Sequence, residues 1–326
     1  MNRAKGAFLE PEVKQYGSHM VMTNVSRHSK YKFINIDSKY KDNTENRYVA
    51  SYDPLKTNFQ ASFNVTLPER INDVKSVMVC NAEIPMSFYN ISATLGNNYF
   101  KIVTGASRTG VTYSVIQIPN GEYTATTLKT AITTAIHAVA GFAGTPDKIT
   151  LDIGSNNLSS FTANSGGAFT LVFDTDMNGN DDAYQFKDKL GWLLGFRKRN
   201  YTITSGTPST ATVVSENMVD LNTIRYLYLA VDEYTKGTQN SFLSPMQNSF
   251  LRSKTILAKI TLNKKTFSFG DILPANNFNG YLLSDRRQYS GKVDIQKLNV
   301  QLIDDTGTPV DLNGMDFSFC LEVEHE

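Results

Sequence analysis

From Arg286 to Glu326 the chain carries two strand-length runs of alternating apolar and polar residues around a polar turn, a pattern that a helix cannot bury on one face. In the last run Phe317, Phe319, Leu321 and Val323 share one face, and Ser318, Cys320, Glu322 and Glu324 share the other. This is the period of two of a half-buried strand. In the run before it, Val293, Ile295, Leu298, Val300 and Leu302 are apolar, and the phase shifts between Ile295 and Leu298, where a bulge would restore register. The segment Asp304 to Gly307 turns the chain between the two runs. A sheet therefore closes the sequence.

The same period recurs upstream. Phe59, Ala61, Phe63, Val65 and Leu67 alternate until Pro68 ends the run, and Val74 to Ile84, Asn98 to Thr104 and Thr112 to Pro119 follow as further strands. One helix is predicted after Asn120-Gly121, where Leu128, Ile132 and Ile136 repeat every fourth residue, and it ends near Gly141. Strands resume at Lys148 to Ile153 and Ala168 to Asp174, separated by GSNNLSSFTANSGG, whose Gly, Asn and Ser content predicts an exposed loop. Glycines at 191 and 195 exclude a long helix from KLGWLLGF. After a Thr/Ser-rich linker, strand patterns return at Ile224 to Asp232 and Thr255 to Leu262.

Joined by loops and not by crossover helices, these elements predict an all-β fold: an antiparallel jelly-roll-like β-sandwich with one inserted amphipathic helix. Residues 1–50 are polar and read as an extended N-terminal arm in which only residues 31–37 can pair as a strand. Residues 51–326 form the sandwich, with a helix and loop insertion at about 120–205.

A chain of 326 residues can bury a substantial core without metal or disulfide. Its 32 basic and 31 acidic residues leave a net charge of +1, which provides no overall attraction for nucleic acid or an anionic membrane. The 19 Phe and 16 Tyr are enough to serve both a core and contact surfaces, which favours an interaction protein. Cys80 and Cys320 read as isolated thiols packed as small hydrophobes. The N-terminus lacks the apolar stretch of a secretory signal, so synthesis and residence in a reducing compartment are expected.

Asp174, Asp176, Asn178 and Asp182, with Gly179 between them, reproduce the opening of a calcium loop, but Gln185 stands where the closing bidentate glutamate belongs. An acidic hairpin tip with Asn178-Gly179 at positive φ is the favoured alternative. Four histidines without HxH or HExxH spacing give a metalloenzyme no ligands, and no GxSxG, P-loop or GxGxxG stretch occurs. Neither catalytic residues nor a cofactor is expected. Arg197, Lys198 and Arg199 are predicted on an exposed loop, and Trp192 either packs in the core or docks a partner.

Taken together, INIDSKY, FNVTLPERINDVKSVMVCNAEIPMSFYNIS, IPNGEYT, LGWLLGF and the closing RRQYSGKVDIQKLNVQLIDDTGTPVDLNGMDFSFCLEVE resemble the jelly-roll minor capsid and penton-type proteins of nucleocytoplasmic large DNA (giant) viruses. The resemblance spans residues 31–326 in order and spacing. It implies a structural virion protein, made in the host cytoplasm, that contacts major capsid subunits and other minor capsid proteins. It leaves open a homo-oligomer, a place at the fivefold vertex and contact with an inner membrane. No specific nucleic acid and no catalysis are implied. Contacts are expected from Tyr31, Tyr40, Tyr48 and Tyr52 of the arm and from Arg197, Lys198 and Arg199. A calcium- or glycan-binding β-sandwich module is the alternative from a different class, since lectin domains also combine sandwiches with acidic loop tips.

Overall fold

A computed structural model describes residues 29–42, 61–110, 112–145, 147–182, 186–206, 211–234 and 256–326. The strands are β1 (Lys30–Asp37), β2 (Ser62–Pro85), β3 (Tyr99–Thr104), β4 (Tyr113–Gln117), β5 (Ile149–Ile153), β6 (Leu158–Ala163), β7 (Ala168–Val172), β8 (Asn200–Thr204), β9 (Thr212–Met218), β10 (Tyr226–Asp232), β11 (Ile256–Thr261), β12 (Ile272–Asn276), β13 (Leu282–Ser284), β14 (Arg287–Ile303) and β15 (Ser318–His325). Helix α1 spans Ala125–Ala138 and the short α2 spans Leu190–Leu193. Pairing between these strands is antiparallel, and the architecture is the all-β, jelly-roll-like one expected, with α1 as its substantial helix.

Eight strands form the principal sheet, in the order β1-β15-β2-β14-β10-β11-β13, with β12 also paired to β2. The sheet curls until its far edge returns to its middle, where the Val79 N–H on β2 donates to Ser284 Oγ on β13 at 3.1 Å. Its inner face is the alternating set seen in the sequence: Phe317, Phe319, Leu321 and Val323 pack with Val300, Leu302, Val77 and Val79 in one core.

Pro68 does not end the first run. Strand β2 continues for 24 residues because Leu67 to Arg70 fall in a register break of the β14 ladder, between Lys297↔Thr66 and Ile295↔Ile71. A proline needs no ladder hydrogen bond there. The same break lies on β14 at the phase change between Ile295 and Leu298.

A second body is inserted between β2 and β10. The sheets β4-β3-β7-β8 and β5-β6-β9 enclose a core drawn from Ile91 to Ile203. Helix α1 starts at a capping box of Thr124 and Thr127 and buries Leu128, Ile132 and Ile136 against this core. Two stretches expected to be loop and linker prove to be strands here. Ser159, Phe161 and Ala163 of β6 alternate inward, and β6 is paired on both sides, by β5 and β9. Pairing on both edges makes a strand of this stretch despite the Gly, Asn and Ser residues that flank it. A Cβ at Gly191 would meet Phe173 Cγ at 2.2 Å, and one at Gly195, where φ is +95°, would meet the Asn217 carbonyl oxygen at 1.9 Å. Those two glycines hold LGWLLGF tightly against β7 and β9.

One charge pair is deeply buried beside the principal sheet. The Arg287 guanidinium donates to both Glu233 oxygens, at 2.8 and 3.2 Å, and to the Val231 and Ile256 carbonyls, with the two side chains 2% and 4% exposed. The Tyr289 hydroxyl donates to the same carboxylate, and burial followed by the Glu233 charge holds its pKa far above the ordinary tyrosine range. Glu233→Ala leaves this guanidinium buried without a counter-charge and is expected to cost about 3–5 kcal/mol in urea unfolding, whereas Glu233→Leu with Arg287→Met recovers most of the loss. A single-variant loss below about 1 kcal/mol would show that the pair contributes no more than a surface ion pair.

Candidate assembly interface

Between Thr266 and Ser284 the chain carries a single charged residue, Asp271. This is the composition of an interface centre and not of a solvated rim. Strand β12 pairs with Asn81–Pro85 of β2, and β13 pairs with β11. Alternation turns Leu273, Ala275 and Leu282 into the core and leaves Ile272 and Leu283 59% and 61% exposed. At the tip between the two strands Phe278 is fully exposed, at 101%.

Asparagines hold that tip rigid. Asn276 Oδ1 accepts the N–H groups of Phe278 and Asn279, both at 2.9 Å, and Asn279 Oδ1 accepts those of Asn276 and Tyr281, both at 3.1 Å. The Asn279 amide also donates to the Pro274 carbonyl, and Gly280 supplies φ +77°. Asn and Gly suit these positions because their side chains satisfy local backbone groups or leave the left-handed conformation unstrained. Phe278 is therefore an aromatic anchor on a preorganised loop. At the opposite end of β12 Phe269 is half exposed and stacks on Tyr89, with ring centroids 5.7 Å apart.

The contact residues expected from the arm are only partly in view. Tyr31 lies on β1, 57% exposed, with the Arg286 guanidinium 5.6 Å from its ring, and Phe33 extends the same outward row. Tyr40 is exposed just beyond β1, whereas Tyr48 and Tyr52 lie outside the described residues.

The basic triplet does not form one exposed patch. Arg197 is half buried and stacks on Trp192 at 4.0 Å, and its Nη1 donates to the Trp192 and Phe196 carbonyls. It thus ties down α2 and the chain that follows it through one carbonyl of each. Lys198 is exposed, with its Nζ 4.0 Å from Glu216, and Arg199 Nε lies 3.7 Å from Asp174. Trp192 is itself half buried, set edge-on to Phe186.

The acidic loop is held by cations of the protein. Asp174 is fully buried and binds Arg108 through two hydrogen bonds, at 2.6 and 2.9 Å, and Asp181 meets the same guanidinium at 2.9 Å. Asp176 accepts from the Asn178 and Asn180 N–H groups and from the Asn180 amide, and these bonds, led by the Asn180 amide, hold its carboxyl below the usual range. Asp182 pairs with the buried Lys189 at 2.7 Å, and the buried Lys101 ammonium donates to the Gly179 carbonyl at 2.8 Å. Among the described residues Asp174, Asp176 and Asp182 belong to no group of three or more His, Cys, Asp or Glu side chains placed to hold a metal ion.

A cleft of about 420 Å³ separates the inserted body from the principal sheet, lined by Trp192, Arg197, Arg225, Asp188, Asp304 and Asp305 among others. Asp304 Oδ1 accepts the N–H groups of Thr306 and Thr308, both at 2.9 Å, and builds the turn that precedes the last strand. Burial and the neighbouring Asp304 charge push the Asp188 and Asp305 carboxyls above their ordinary range. A carboxyl so raised binds its proton more tightly in the folded state, so its stability contribution is present in acid and lost as pH rises through the raised value. Asp305→Asn is expected to raise the urea midpoint at pH 7, with the gap to the parent closing as pH falls to about 3. An equal gap at both pH values would place the effect outside this charge cluster.

No protein family matches the chain, and no curated protein matches it. Among solved structures, the crystal structure of the selenomethionine-labelled mavirus penton protein aligns with a TM-score of 0.45 at 11% identity, covering 91% of this chain and 100% of that one.

Phe278, Ile272 and Leu283 carry no motif that marks them in the sequence. The signal that could have found them is the charge-poor stretch around Asn-Asn-Phe-Asn-Gly, where a large aromatic sits between residues that favour a tight turn.

Proposed function

We propose that this chain is a structural virion protein, a minor capsid component that meets major capsid subunits and other minor capsid proteins through fixed surfaces and catalyses nothing. The observation that carries the proposal is the Phe278 tip: an aromatic with no cover, in a charge-poor hairpin whose backbone is already ordered. An anchor of this kind contributes most on docking, because the loop has little freedom left to lose. The ordered series of segments resembling jelly-roll minor capsid and penton-type proteins supplies the class of partner, and with it the virion as location.

The proposal is tested by combining the purified protein with its major capsid subunit and comparing Phe278→Asp with the parent. The variant is expected to keep its melting temperature, since Phe278 buries nothing in the isolated chain, and to bind at least about tenfold more weakly. Undiminished binding by a folded variant would remove the tip from the interface. Sedimentation of the free protein separates the two placements: a pentamer favours the fivefold vertex, and a monomer favours a position between capsomers.

A further inference from the structure

Cys80 and Cys320 lie on neighbouring strands, both half buried and both free, on the face of the principal sheet opposite its core. The β2–β15 ladder pairs Cys320 with Asn81 and Leu321 with Val79, so Cys80 is the additional residue of a bulge. In such a bulge two residues of one strand oppose one of its neighbour, which sets Cys80 beside Cys320. Cys80 Sγ donates to the Cys320 carbonyl at 3.2 Å, which places its thiol against the backbone of Cys320. Neighbouring strands lie about 4.7–4.9 Å apart, so residues side by side across a bulge fall in the range of roughly 4.4–6.8 Å between Cα atoms that a disulfide bridges.

We propose that Cys80 and Cys320 form an intramolecular disulfide when the folded chain meets a low-molecular-weight disulfide such as oxidised glutathione, and that the bond staples the C-terminal strand to the central strand. The Cys80 thiolate attacks one sulfur of the oxidised glutathione, whose S–S bond breaks, and one glutathione leaves as a thiolate and takes up a proton. Cys320 then gives up its proton to solvent base and attacks the Cys80 sulfur of the mixed disulfide, expelling the second glutathione. Two electrons pass from the cysteine pair to the glutathione disulfide.

Burial, then the adjacent Cys80 thiol, pushes Cys320 up to about 12, with Glu322 adding to the shift and the Ile34 N–H opposing it. Cys320 is thus the slow resolving partner, and mildly alkaline buffer hastens closure. The bridge would enclose residues 80–320, including the whole inserted body.

The test incubates the folded full-length protein with oxidised glutathione at mildly alkaline pH, removes the excess, alkylates under denaturing conditions and weighs the intact chain. The expected product is lighter by two hydrogen atoms, takes up no alkylating agent, and yields a β2–β15 linked peptide on non-reducing proteolysis. Its melting temperature rises by about 5 °C or more and returns on reduction, while Cys80→Ser and Cys320→Ser show no such rise. Two alkylated cysteines, a persistent glutathione adduct or a disulfide-linked dimer would overturn the proposal. A bond that forms without raising the melting temperature would overturn the stapling role.

Discussion

Strand β2 is the constraint on which the principal sheet depends. Its N-terminal two thirds pair with β14, its C-terminal half pairs with β15 on the other edge, and Asn81–Pro85 also carry β12. Where it is paired on both edges, at Val74–Val77 by β14 and β15 and at Asn81–Glu83 by β15 and β12, its backbone groups are satisfied without water. Almost every tie it makes joins residues far apart in sequence, as Phe63 with Val300 or Val79 with Leu321. The inserted body leaves from Pro85 and returns at β10, so it hangs on an already paired frame and keeps its own core. The half-buried ion pair of Glu122 with Lys264, at 3.1 Å, then joins the two bodies.

Buried charge is used with restraint, and each arginine that is drawn inward meets more than one partner. Arg287 satisfies Glu233 and two carbonyls together, and Arg108 spans Asp174 and Asp181 with one planar fork. Desolvating a charge is costly, and only geometry that fills most of the guanidinium's donors offsets it. Lysine appears where a single point of charge is enough, at Lys101 on a carbonyl and at Lys189 on Asp182. Three protein cations therefore hold the acidic hairpin tip from within. The loop's shape comes from these pairs together with the Thr175↔Asp181 bridge and the positive φ of Gly179.

What the sequence made legible follows from how local each feature is. Period-two runs such as Phe317 to Val323, and the four-residue repeat of Leu128, Ile132 and Ile136, state their own burial, and the structure places them accordingly. Pro68 was misleading because its cost depends on whether a neighbour expects its N–H, and that is decided by a register break more than two hundred residues away in sequence. Leu158–Ala163 is obscured for a similar reason, since the loop signals of the flanking Gly, Asn and Ser mask a strand that β5 and β9 fix from both sides. The acidic loop looked like ligands in a row, but side-chain direction is not written in spacing: Asp174 points inward to Arg108 and Asp176 caps its own turn. Phe278 was overlooked because an isolated aromatic in a turn is silent about exposure until the hairpin around it is built.

The two exposed aromatic features differ in how they treat the risk of unwanted association. Strand β1 is an edge strand whose far side carries no partner among the described residues, the arrangement most prone to indiscriminate strand addition. It is blunted by alternating Lys30 and Lys32 with Tyr31 and Phe33, by the pairing of Lys32 with Glu69, and by the Arg286 guanidinium set over Tyr31. An approaching strand would have to desolvate those charges. The Phe278 hairpin has no such guard, yet it presents side chains and not open backbone, because β12 is already paired to β2 and β13 to β11. A partner docking there would need a complementary apolar cavity, since no open strand edge is offered. A surface of this kind is selective by shape, and it discriminates without a charge to steer it.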